Sequence, residues 1–423
     1  MSWEEIKVKD LGDIITGNTP PKKKTELYGD AYKFIKASDM TEGQRYTFET
    51  EERYSHAGYK KYSKSLIPPL STCVVTIGTL GRKMTLTDEY CFVNQAINAV
   101  IPNDKHDPFF VYYALKNIQH KVKFADTGAS SGRENISKST FSNLTLLVPS
   151  NKSIQAKIGG ILSAYDGLIE NNLKRIRLLE EAAQNIYREW FVHFRFPGYE
   201  QAAFGEDGVP VGWEMKPFES FIEHHIGGGW GKEDVEGDFV QPAYVIRGTD
   251  IPKLEVGSKE SVPHRFHKVS NLKSRKLIAN DLVFEVSGGS KTQPVGRSIL
   301  ITEKILELFN GQDAMCASFC KLIRVNANIV SPYYISSYVT EIYSNGVLAQ
   351  YENQSASNII NFKFNDFISR EKVVIPSNQV QIAFENLIRP IRNQIGNLGI
   401  QNNLLKEGRD ILLPRLMNRT IEV

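Results

Sequence analysis

The stretch Phe34-Ile35-Lys36-Ala37-Ser38-Asp39-Met40 returns 211 residues later as Val245-Ile246-Arg247-Gly248-Thr249-Asp250-Ile251. Further matched pairs follow in the same order along the chain: Trp3-Glu4 with Trp213-Glu214, Leu66-Ile67 with Leu277-Ile278, Gly81-Arg82 with Gly296-Arg297, Pro108-Phe109-Phe110-Val111 with Pro332-Tyr333-Tyr334-Ile335, and Val148-Pro149-Ser150-Asn151 with Ile375-Pro376-Ser377-Asn378. The spacing between partners grows along the chain. Such a repeat predicts two copies of one domain that have diverged in their loops.

Each copy begins with short β-branched and aromatic runs, such as Cys73-Val74-Val75-Thr76-Ile77 and Leu282-Val283-Phe284-Glu285-Val286. Gly, Pro and Asn clusters separate these runs, which predicts a strand-rich globular body. Each copy ends in Pro-Ser-Asn, a combination that breaks a strand and caps the N-terminus of a helix.

A helical pattern follows each copy. Mostly apolar residues recur at spacings of three and four: Ile154, Ile158, Ile161, Tyr165, Leu168, Asn172, Ile176, Leu179, Ala183, Ile186 and Trp190 after the first copy, and Phe384, Ile388, Ile391, Ile395, Leu398, Asn402, Leu405, Arg409, Leu412 and Leu416 after the second. This pattern predicts two coiled-coil-like helices of roughly 50 Å each. Because an unpaired helix would expose its apolar seam, we expect the two helices to pair. Gly396, Gly399 and Gly408 lower the intrinsic helicity of the second helix, which makes it dependent on that partner.

One polar residue interrupts each seam, Asn172 in the first helix and Asn402 in the second. A single buried Asn in a coiled coil fixes the register of the two helices. The alternative is a solvated position where the helices splay apart.

Composition narrows the class of protein. The chain has 423 residues, of which 41% are hydrophobic and 23% charged, and this is typical of soluble globular proteins with two to four domains. No apolar run is long enough for a membrane span, and the start of the chain is polar and acidic, so we expect a cytoplasmic protein. A net charge of +3 does not by itself indicate a nucleic-acid-binding protein.

The four cysteines do not indicate a disulfide framework. Cys316 and Cys320 could join His224 and His225, or His264 and His267, on a metal ion. Three residues between the cysteines is an unusual spacing for a zinc finger, so buried structural cysteines are the favoured interpretation.

Motifs of several enzyme classes fail to match. The Pro-Pro pairs Pro20-Pro21 and Pro68-Pro69 lack the flanking residues of an adenine methyltransferase loop. Gly231-Lys232 is followed by Glu233, and Ile226 stands where a P-loop needs its first glycine. The glycines of Gly227-Gly228-Gly229-Trp230-Gly231 also miss the dinucleotide-binding spacing, so a turn is the better interpretation.

Taken in order, these features resemble the specificity subunit of Type I restriction-modification systems over the whole chain. The resemblance is carried by the openings Thr16-Gly17-Asn18-Thr19-Pro20 and Ile226-Gly227-Gly228-Gly229-Trp230-Gly231-Lys232, by Gly208-Val209-Pro210-Val211-Gly212-Trp213, and by the helix ends Tyr187-Arg188-Glu189-Trp190-Phe191-Val192-His193-Phe194-Arg195-Phe196-Pro197-Gly198 and Ile411-Leu412-Leu413-Pro414-Arg415-Leu416-Met417.

The resemblance implies an α+β fold with two strand-rich target recognition domains, residues 1–150 and 197–377. A central conserved helix, 151–196, and a distal conserved helix, 378–423, would form a long antiparallel pair between them with approximate twofold symmetry. Each recognition domain would bind one half of a split double-stranded DNA target, and the paired helices would set the distance between the halves.

The resemblance also implies a non-catalytic subunit without a cofactor of its own. Its expected partners are two modification subunits that use S-adenosylmethionine and two restriction subunits that use ATP and Mg²⁺, with no membrane. Two alternatives stay open at this point: a coiled-coil scaffold protein that does not bind DNA, and a single-chain enzyme whose catalytic domain is not recognised.

Candidate DNA contacts are polar and basic side chains on matching loops of the two copies, since these groups bond to base edges and phosphates. In the first copy they are Thr19, Lys22, Lys23, Lys24, Lys36, Thr79, Arg82, Lys83, Ser130, Ser131, Arg133 and Asn135; in the second they are Lys232, Arg247, Lys291, Thr292, Gln293, Arg297, Ser355, Ser357 and Asn358.

Some of these candidates have equally simple structural interpretations. The three lysines 22–24 are either a phosphate clamp or a solvated loop, and Lys36 and Arg247, beside Asp39 and Asp250, could be ion-paired scaffold residues. Arg133 and Arg297 are the favoured base contacts, because bidentate Arg to guanine is the commonest one. For Trp230, core packing is favoured over stacking on a sugar.

Overall fold

A computed structural model describes residues 2–125, 134–290, 293–354 and 359–423. The chain divides into two compact units. The first comprises Met1–Ile169 and Leu405–Val423, and the second comprises Glu170–Leu404. Both boundaries fall inside long helices, so each unit contains one segment of each helix. The two units are described separately.

The first unit contains the first copy of the repeat. Its strands are β1 Trp3–Lys7, β2 Gly12–Thr16, β3 Tyr28–Ile35, β4 Glu52–Tyr54, β5 Thr72–Val75, β6 Met84–Leu86, β7 Cys91–Val93, β8 Ile97–Pro102 and β9 Thr145–Pro149. Its helices are α1 His56–Tyr62, α2 Pro108–Asn117, α3 Gln119–Phe124, α4 Lys138–Ser142 and the start of α5 Lys152–Tyr187. Short 3₁₀ turns lie at Val8–Asp10, Thr25–Leu27 and Ser63–Ser65.

The second unit contains the second copy. Its strands are β10 Glu214–Pro217, β11 Ile222–Gly227, β12 Gln241–Ile246, β13 His264–His267, β14 Leu282–Glu285, β15 Ser287–Gly289, β16 Ser298–Leu300, β17 Ala314–Cys316, β18 Cys320–Val325, β19 Glu352–Gln354, β20 Ile360–Phe362 and β21 Lys372–Ile375. Its helices are α6 Ile251–Glu255, α7 Val269–Arg275, α8 Glu303–Glu307, α9 Pro332–Ser344, α10 Phe364–Arg370 and most of α11 Asn378–Met417. A π-helical turn, Arg188–Val192, follows α5, and 3₁₀ turns lie at Tyr199–Gln201, Phe218–Phe221, Gly248–Asp250 and Val347–Tyr351.

The two copies share one strand order. The antiparallel sheet β2-β8-β5-β6 corresponds to β11-β18-β14-β16, and the pair β1-β9 corresponds to β10-β21. The mixed sheet β4-β3-β7, in which β3 and β7 run parallel, corresponds to β13-β12-β17, in which β12 and β17 run parallel. The second copy adds the sheet β15-β20-β19. This confirms the predicted α+β fold built on a repeated strand-rich domain.

The repeated stretch forms the same local structure in both copies. After β3, the Asp39 carboxylate accepts a hydrogen bond from the backbone N–H of Lys36 at 2.8 Å. After β12, the Asp250 carboxylate accepts one from the backbone N–H of Arg247 at 2.9 Å. The acidic residue therefore returns in the sequence because it closes the turn that ends this strand.

The long helices pair within each unit. In the second unit, Ile176 of α5 packs against Ile395 and Leu398 of α11, and the Tyr187 ring lies 6.2 Å from that of Phe384. Later residues of α5 thus meet earlier residues of α11. The pairing is antiparallel, as predicted.

In the first part of α5 the predicted seam is confirmed at Ile158, which is 1% exposed, and wrong at two other positions. Ile161 and Leu168 are 37% and 55% exposed, whereas Leu162 and Ile169 are buried. The true seam also passes through Asp166, which is 4% exposed. Because a search for apolar residues passes over a buried aspartate, it placed the seam at Ile161 and Leu168, each one residue before the buried Leu162 and Ile169.

The two seam asparagines meet within the second unit. The side-chain amide of Asn172 donates to Oδ1 of Asn402 at 3.0 Å, and the residues are 6% and 3% exposed. The alternative of a solvated position is therefore wrong. Because two amides placed among apolar residues can pair in only one alignment of the helices, the contact supports the register interpretation.

Candidate nucleic-acid interface

A tight turn between two strands forms the centre of the candidate site in the first unit. We call residues 94–96, between β7 and β8, the first crossing turn. The N–H of Gly17 donates to the carbonyl of Ile97 at 3.2 Å, and the N–H of Asn18 donates to that of Val93 at 3.0 Å. A Cβ atom on Gly17 would lie 2.0 Å from the Val93 oxygen. Only glycine allows this approach.

The second unit repeats the arrangement at residues 317–319, between β17 and β18, which we call the second crossing turn. The N–H groups of Gly228 and Gly229 donate to the carbonyls of Cys320 and Cys316, each at 3.0 Å. A Cβ atom on Gly228 would lie 2.1 Å from the Cys316 oxygen. The two glycine-containing openings singled out in the sequence are therefore segments that pack under a turn.

A third segment binds the other side of each turn. The N–H of Thr76 donates to Ala96 at 2.8 Å, and the Thr76 carbonyl accepts from Ile136 at 3.0 Å. In the second unit the N–H of Val286 donates to Phe319 at 2.8 Å, and the Val286 carbonyl accepts from Phe362 at 2.9 Å. Each copy thus uses the same backbone hydrogen bonds to hold several loops around one turn.

Several predicted contacts of the first copy lie around the first crossing turn. The Thr19 hydroxyl donates to the side-chain oxygen of Gln95. Thr79 is exposed on the loop that follows Thr76, and Asn135 forms a β-bridge with Ile77. The structure therefore brings Thr19, Thr79 and Asn135 to one surface, although they are far apart in the sequence.

The basic candidates of the first copy differ in exposure. Lys22, Lys23 and Lys24 are exposed, and the Lys22 ammonium lies 4.0 Å from Glu52. Arg82 is also exposed, while the Lys83 ammonium donates to the carbonyl of Ala37 at 3.0 Å. The three lysines and Arg82 can therefore reach a phosphate without breaking a buried contact.

Two candidates are ion-paired, as the structural alternative anticipated. The Lys36 side chain, 17% exposed, bonds to Glu51 and lies 3.2 Å from Glu52. The Arg247 side chain pairs with the fully buried Asp250 at 2.9 Å, and this hydrogen bond raises the pKa of the Arg247 guanidinium. The Lys36 side chain binds carboxylates at the start of β4, and the Arg247 side chain holds the turn after β12, so a DNA contact would be a second role for either.

The predicted base contact Arg297 is paired with a buried carboxylate. Its guanidinium donates two hydrogen bonds to the Glu285 carboxylate, at 2.6 and 2.9 Å, and the two side chains are 14% and 3% exposed. These hydrogen bonds raise the pKa of the Arg297 guanidinium. Because its donors already serve a buried carboxylate, the structure argues against Arg297 as a base contact and places it in the scaffold.

In the second copy, Lys232 and Gln293 lie on exposed segments. Lys232 is bridged to Phe266 through the backbone, with its ammonium 3.2 Å from Glu236. The Gln293 amide donates to the Tyr343 hydroxyl at 2.8 Å. Trp230 is not a core residue: it is 39% exposed, and the Arg265 guanidinium covers its ring at 4.5 Å.

Eight candidates lie outside the described residues and stay predictions. They are Ser130, Ser131, Arg133, Lys291, Thr292, Ser355, Ser357 and Asn358.

The sequence-based selection missed the side chains of the crossing turns themselves. Gln95 is exposed in the first turn, and Ser318 and Phe319 are exposed in the second, Phe319 to 61%. The available signal was a three-residue interval between two apolar runs at matching places in the repeat, Asn94-Gln95-Ala96 in the first copy and Ala317-Ser318-Phe319 in the second.

The described residues do not support the alternative in which Cys316 and Cys320 hold a metal ion together with histidines. All four cysteines are buried and free, and burial raises the pKa of Cys91 and of Cys316 to about 12. Among the described residues, no three His, Cys, Asp or Glu side chains are grouped so that they could hold a metal ion. Within the same residues, no helix combines the length and apolar character needed to cross a membrane.

Comparison with known proteins shows which family model and which relatives the chain is similar to. Residues 1–181 match the family model described as the Type I restriction modification DNA specificity domain. The chain is similar to the Type I restriction enzyme MjaIX specificity subunit of Methanocaldococcus jannaschii, with 22% identity over 98% of this chain and 92% of the relative. It is 35% identical to the HindI specificity subunit of Haemophilus influenzae over 180 residues, which are 42% of this chain and 39% of that protein.

A solved structure shares the fold. It is a crystal structure of the S subunit of a Type I restriction-modification system from M. genitalium, with a TM-score of 0.58, 15% identity, and coverage of 99% of this chain and 96% of that one. Residues 1–181 thus match a Type I restriction modification DNA specificity domain, and the chain as a whole is similar to Type I restriction enzyme specificity subunits.

Proposed function

We propose that this chain is the DNA-recognition subunit of a Type I restriction-modification complex. Each copy of the repeat binds one half of a two-part DNA target, and the chain directs modification and restriction subunits to that target. The observation that carries the proposal is the crossing turn, built twice with the same backbone hydrogen bonds in a chain that is similar to specificity subunits along nearly its whole length.

The chemistry of this surface suits DNA. Exposed hydroxyl and amide groups lie around a rigid turn, and such groups bond to base edges in the major groove. The neighbouring Lys22, Lys23 and Lys24 are suited to phosphate contacts, which orient a protein on the duplex without specifying sequence.

We further propose that chemistry is performed by partners: two modification subunits that use S-adenosylmethionine and two restriction subunits that use ATP and Mg²⁺. The chain itself takes no cofactor in this scheme. Its departures from the P-loop and methyltransferase patterns support this division of labour.

The test is to co-express the chain with its modification subunit and to map methylated sites across the host DNA. We expect a motif with two defined halves and an unread gap. Exchanging residues 1–150 for those of another specificity subunit should change one half only, and exchanging 197–377 should change the other. A scaffold protein would give no motif, and a single continuous motif that changes throughout with either exchange would contradict the proposal.

A further inference from the structure

We propose that Gln95 reads a base in the first half of the target and that Thr19 positions its amide. This inference rests on the proposed function. Gln95 lies at the middle of the first crossing turn, the point on which the other loops of the candidate site converge.

The backbone that carries Gln95 is held on several sides. The Asn94 N–H donates to the Ile35 carbonyl at 3.1 Å, and the Asn94 side chain accepts from the Ala96 N–H at 3.2 Å. Gly17 and Thr76 bind the two flanks of the turn. A side chain on such a backbone presents its polar atoms in a fixed place, which is what discrimination between bases requires.

Thr19 fixes the orientation of the Gln95 amide. Its hydroxyl donates to Oε1 of Gln95, which leaves a second lone pair on that oxygen and both hydrogens on Nε2. Within residues 2–125, 134–290, 293–354 and 359–423, no other group bonds to this amide. An acceptor beside a donor matches the N6 amino group and N7 of adenine, the pair of atoms to which Gln bonds in the major groove.

The second copy supports a recognition role for this position. Its crossing turn has the same backbone hydrogen bonds but carries the exposed Ser318 at the position of Gln95 and Phe319, 61% exposed, at the position of Ala96. A scaffold residue would be expected to match where the backbone matches. Different exposed side chains on one shared backbone are what two domains need in order to read different half-sites.

The test uses the complex of the full chain with its modification subunit and measures methylation of a randomised DNA library. Gln95→Ala should reduce discrimination at one base pair of the first half-site by at least about fivefold and leave the second half-site unchanged. Gln95→Glu should move the preference at that base pair from adenine toward cytosine, since a carboxylate accepts from the cytosine amino group.

Thr19 has its own pair of variants. Thr19→Val removes the hydroxyl while keeping the shape, and should weaken discrimination at the same base pair as Gln95→Ala. Thr19→Ser keeps the hydroxyl and should therefore keep the wild-type discrimination at that base pair. If Thr19→Val leaves that base pair unaffected, the positioning role is overturned.

Controls separate the possible failures. Gln44→Ala is the matched control, because Gln44 is an exposed glutamine of the same copy. Its neighbour Arg45 bonds to Ser163 of α5, so this position lies beside the long helix and not on the crossing turn. The variant should leave the methylated motif intact. If the wild-type complex methylates no defined motif, the proposed function fails. If the wild type methylates a two-part motif and both Gln95 variants keep every position of it, or lose all sequences equally, the assignment of Gln95 is overturned.

Discussion

A buried ion pair links the two long helices within the first unit. The Arg409 guanidinium binds the Asp166 carboxylate, with side chains 6% and 5% exposed, and the Tyr113 hydroxyl donates to the same carboxylate at 2.6 Å. Removing one partner of such a pair leaves the other charge buried and unpaired.

We therefore expect Arg409→Ala to lower the free energy of unfolding by about 3–5 kcal/mol, measured by urea denaturation. Arg415→Ala, an exposed arginine of the same helix, is the control and should change it by less than about 0.5 kcal/mol. The double variant Asp166→Leu with Arg409→Leu should recover most of the loss, because no buried charge remains. Equal losses in the single and double variants would contradict this account.

A carboxyl group in the second unit should make stability depend on pH. Burial and the neighbouring Glu180 carboxylate together raise the pKa of Glu255 to about 7, against the opposing effect of Arg392 and Arg297. Above its ordinary pKa of 4.5 the unfolded chain has released this proton while the folded chain still holds it. The free energy of unfolding should therefore fall as the pH rises from about 4.5 to 7, by at most about 3 kcal/mol.

The measurement is urea denaturation at pH 5.5 and pH 8. Glu255→Gln should stabilise the protein at pH 8 and flatten the pH dependence, whereas the exposed Glu206→Gln should do neither. If Glu255→Gln keeps the full pH dependence of the free energy of unfolding, groups other than Glu255 cause that dependence.

The sequence shows where the charged side chains of the candidate site lie along the chain, but not which residues they bind. Arg297 follows Gly296 in a Gly-rich stretch, which predicts a loop that contacts bases. Its partner Glu285 is twelve residues away on β14, and only the pairing of β14 with β16 brings the two together. Asp250, three residues from Arg247, was close enough in sequence for the ion-paired alternative to be recognised.

At the level of elements, two adjacent glycines of α5 should respond oppositely to the same substitution. A Cβ atom on Gly159 would lie 2.7 Å from the backbone nitrogen of Phe110, at the start of α2. Gly160 is exposed, and a Cβ atom there would have no neighbour within 4 Å. Alanine favours the helix over glycine by about 0.5–1 kcal/mol when nothing obstructs it.

Gly160→Ala should therefore raise the free energy of unfolding by about 0.5–1 kcal/mol, whereas Gly159→Ala should lower it by about 1–3 kcal/mol because the helices must separate. Thermal or urea denaturation of the intact chain distinguishes the two. The same sign for both variants would mean that α5 and α2 do not pack as closely as the structure shows.

The helices also show what periodicity can predict. Their existence and their pairing follow from apolar spacing, while the antiparallel direction is what the family resemblance implies. The local seam of α5 does not follow from that spacing, because Asp166 occupies an inner position and its pairing with Arg409 becomes apparent only when α5 and α11 are placed together.

At the level of the whole molecule, we propose that the two long helices set the unread gap, as the family resemblance implies. Inserting seven residues into both α5 and α11, at facing positions beside the Asn172–Asn402 contact, keeps the apolar seam in phase. Each helix lengthens by about 10 Å at 1.5 Å per residue. With a rise of about 3.4 Å per base pair, the gap in the methylated motif should grow by about three base pairs.

Both half-sites should keep their sequence in this variant, because no loop of either candidate interface is altered. The added length also rotates one recognition domain around the duplex, which costs affinity, so the measurement should be selection from libraries with variable gaps rather than binding to one lengthened site. Inserting seven residues into α5 alone is the control: it shifts one helix against the other, separates the paired asparagines and should lower stability. Recovery of the original gap from the double insertion, in a complex that still methylates DNA, would show that the helices do not set the spacing.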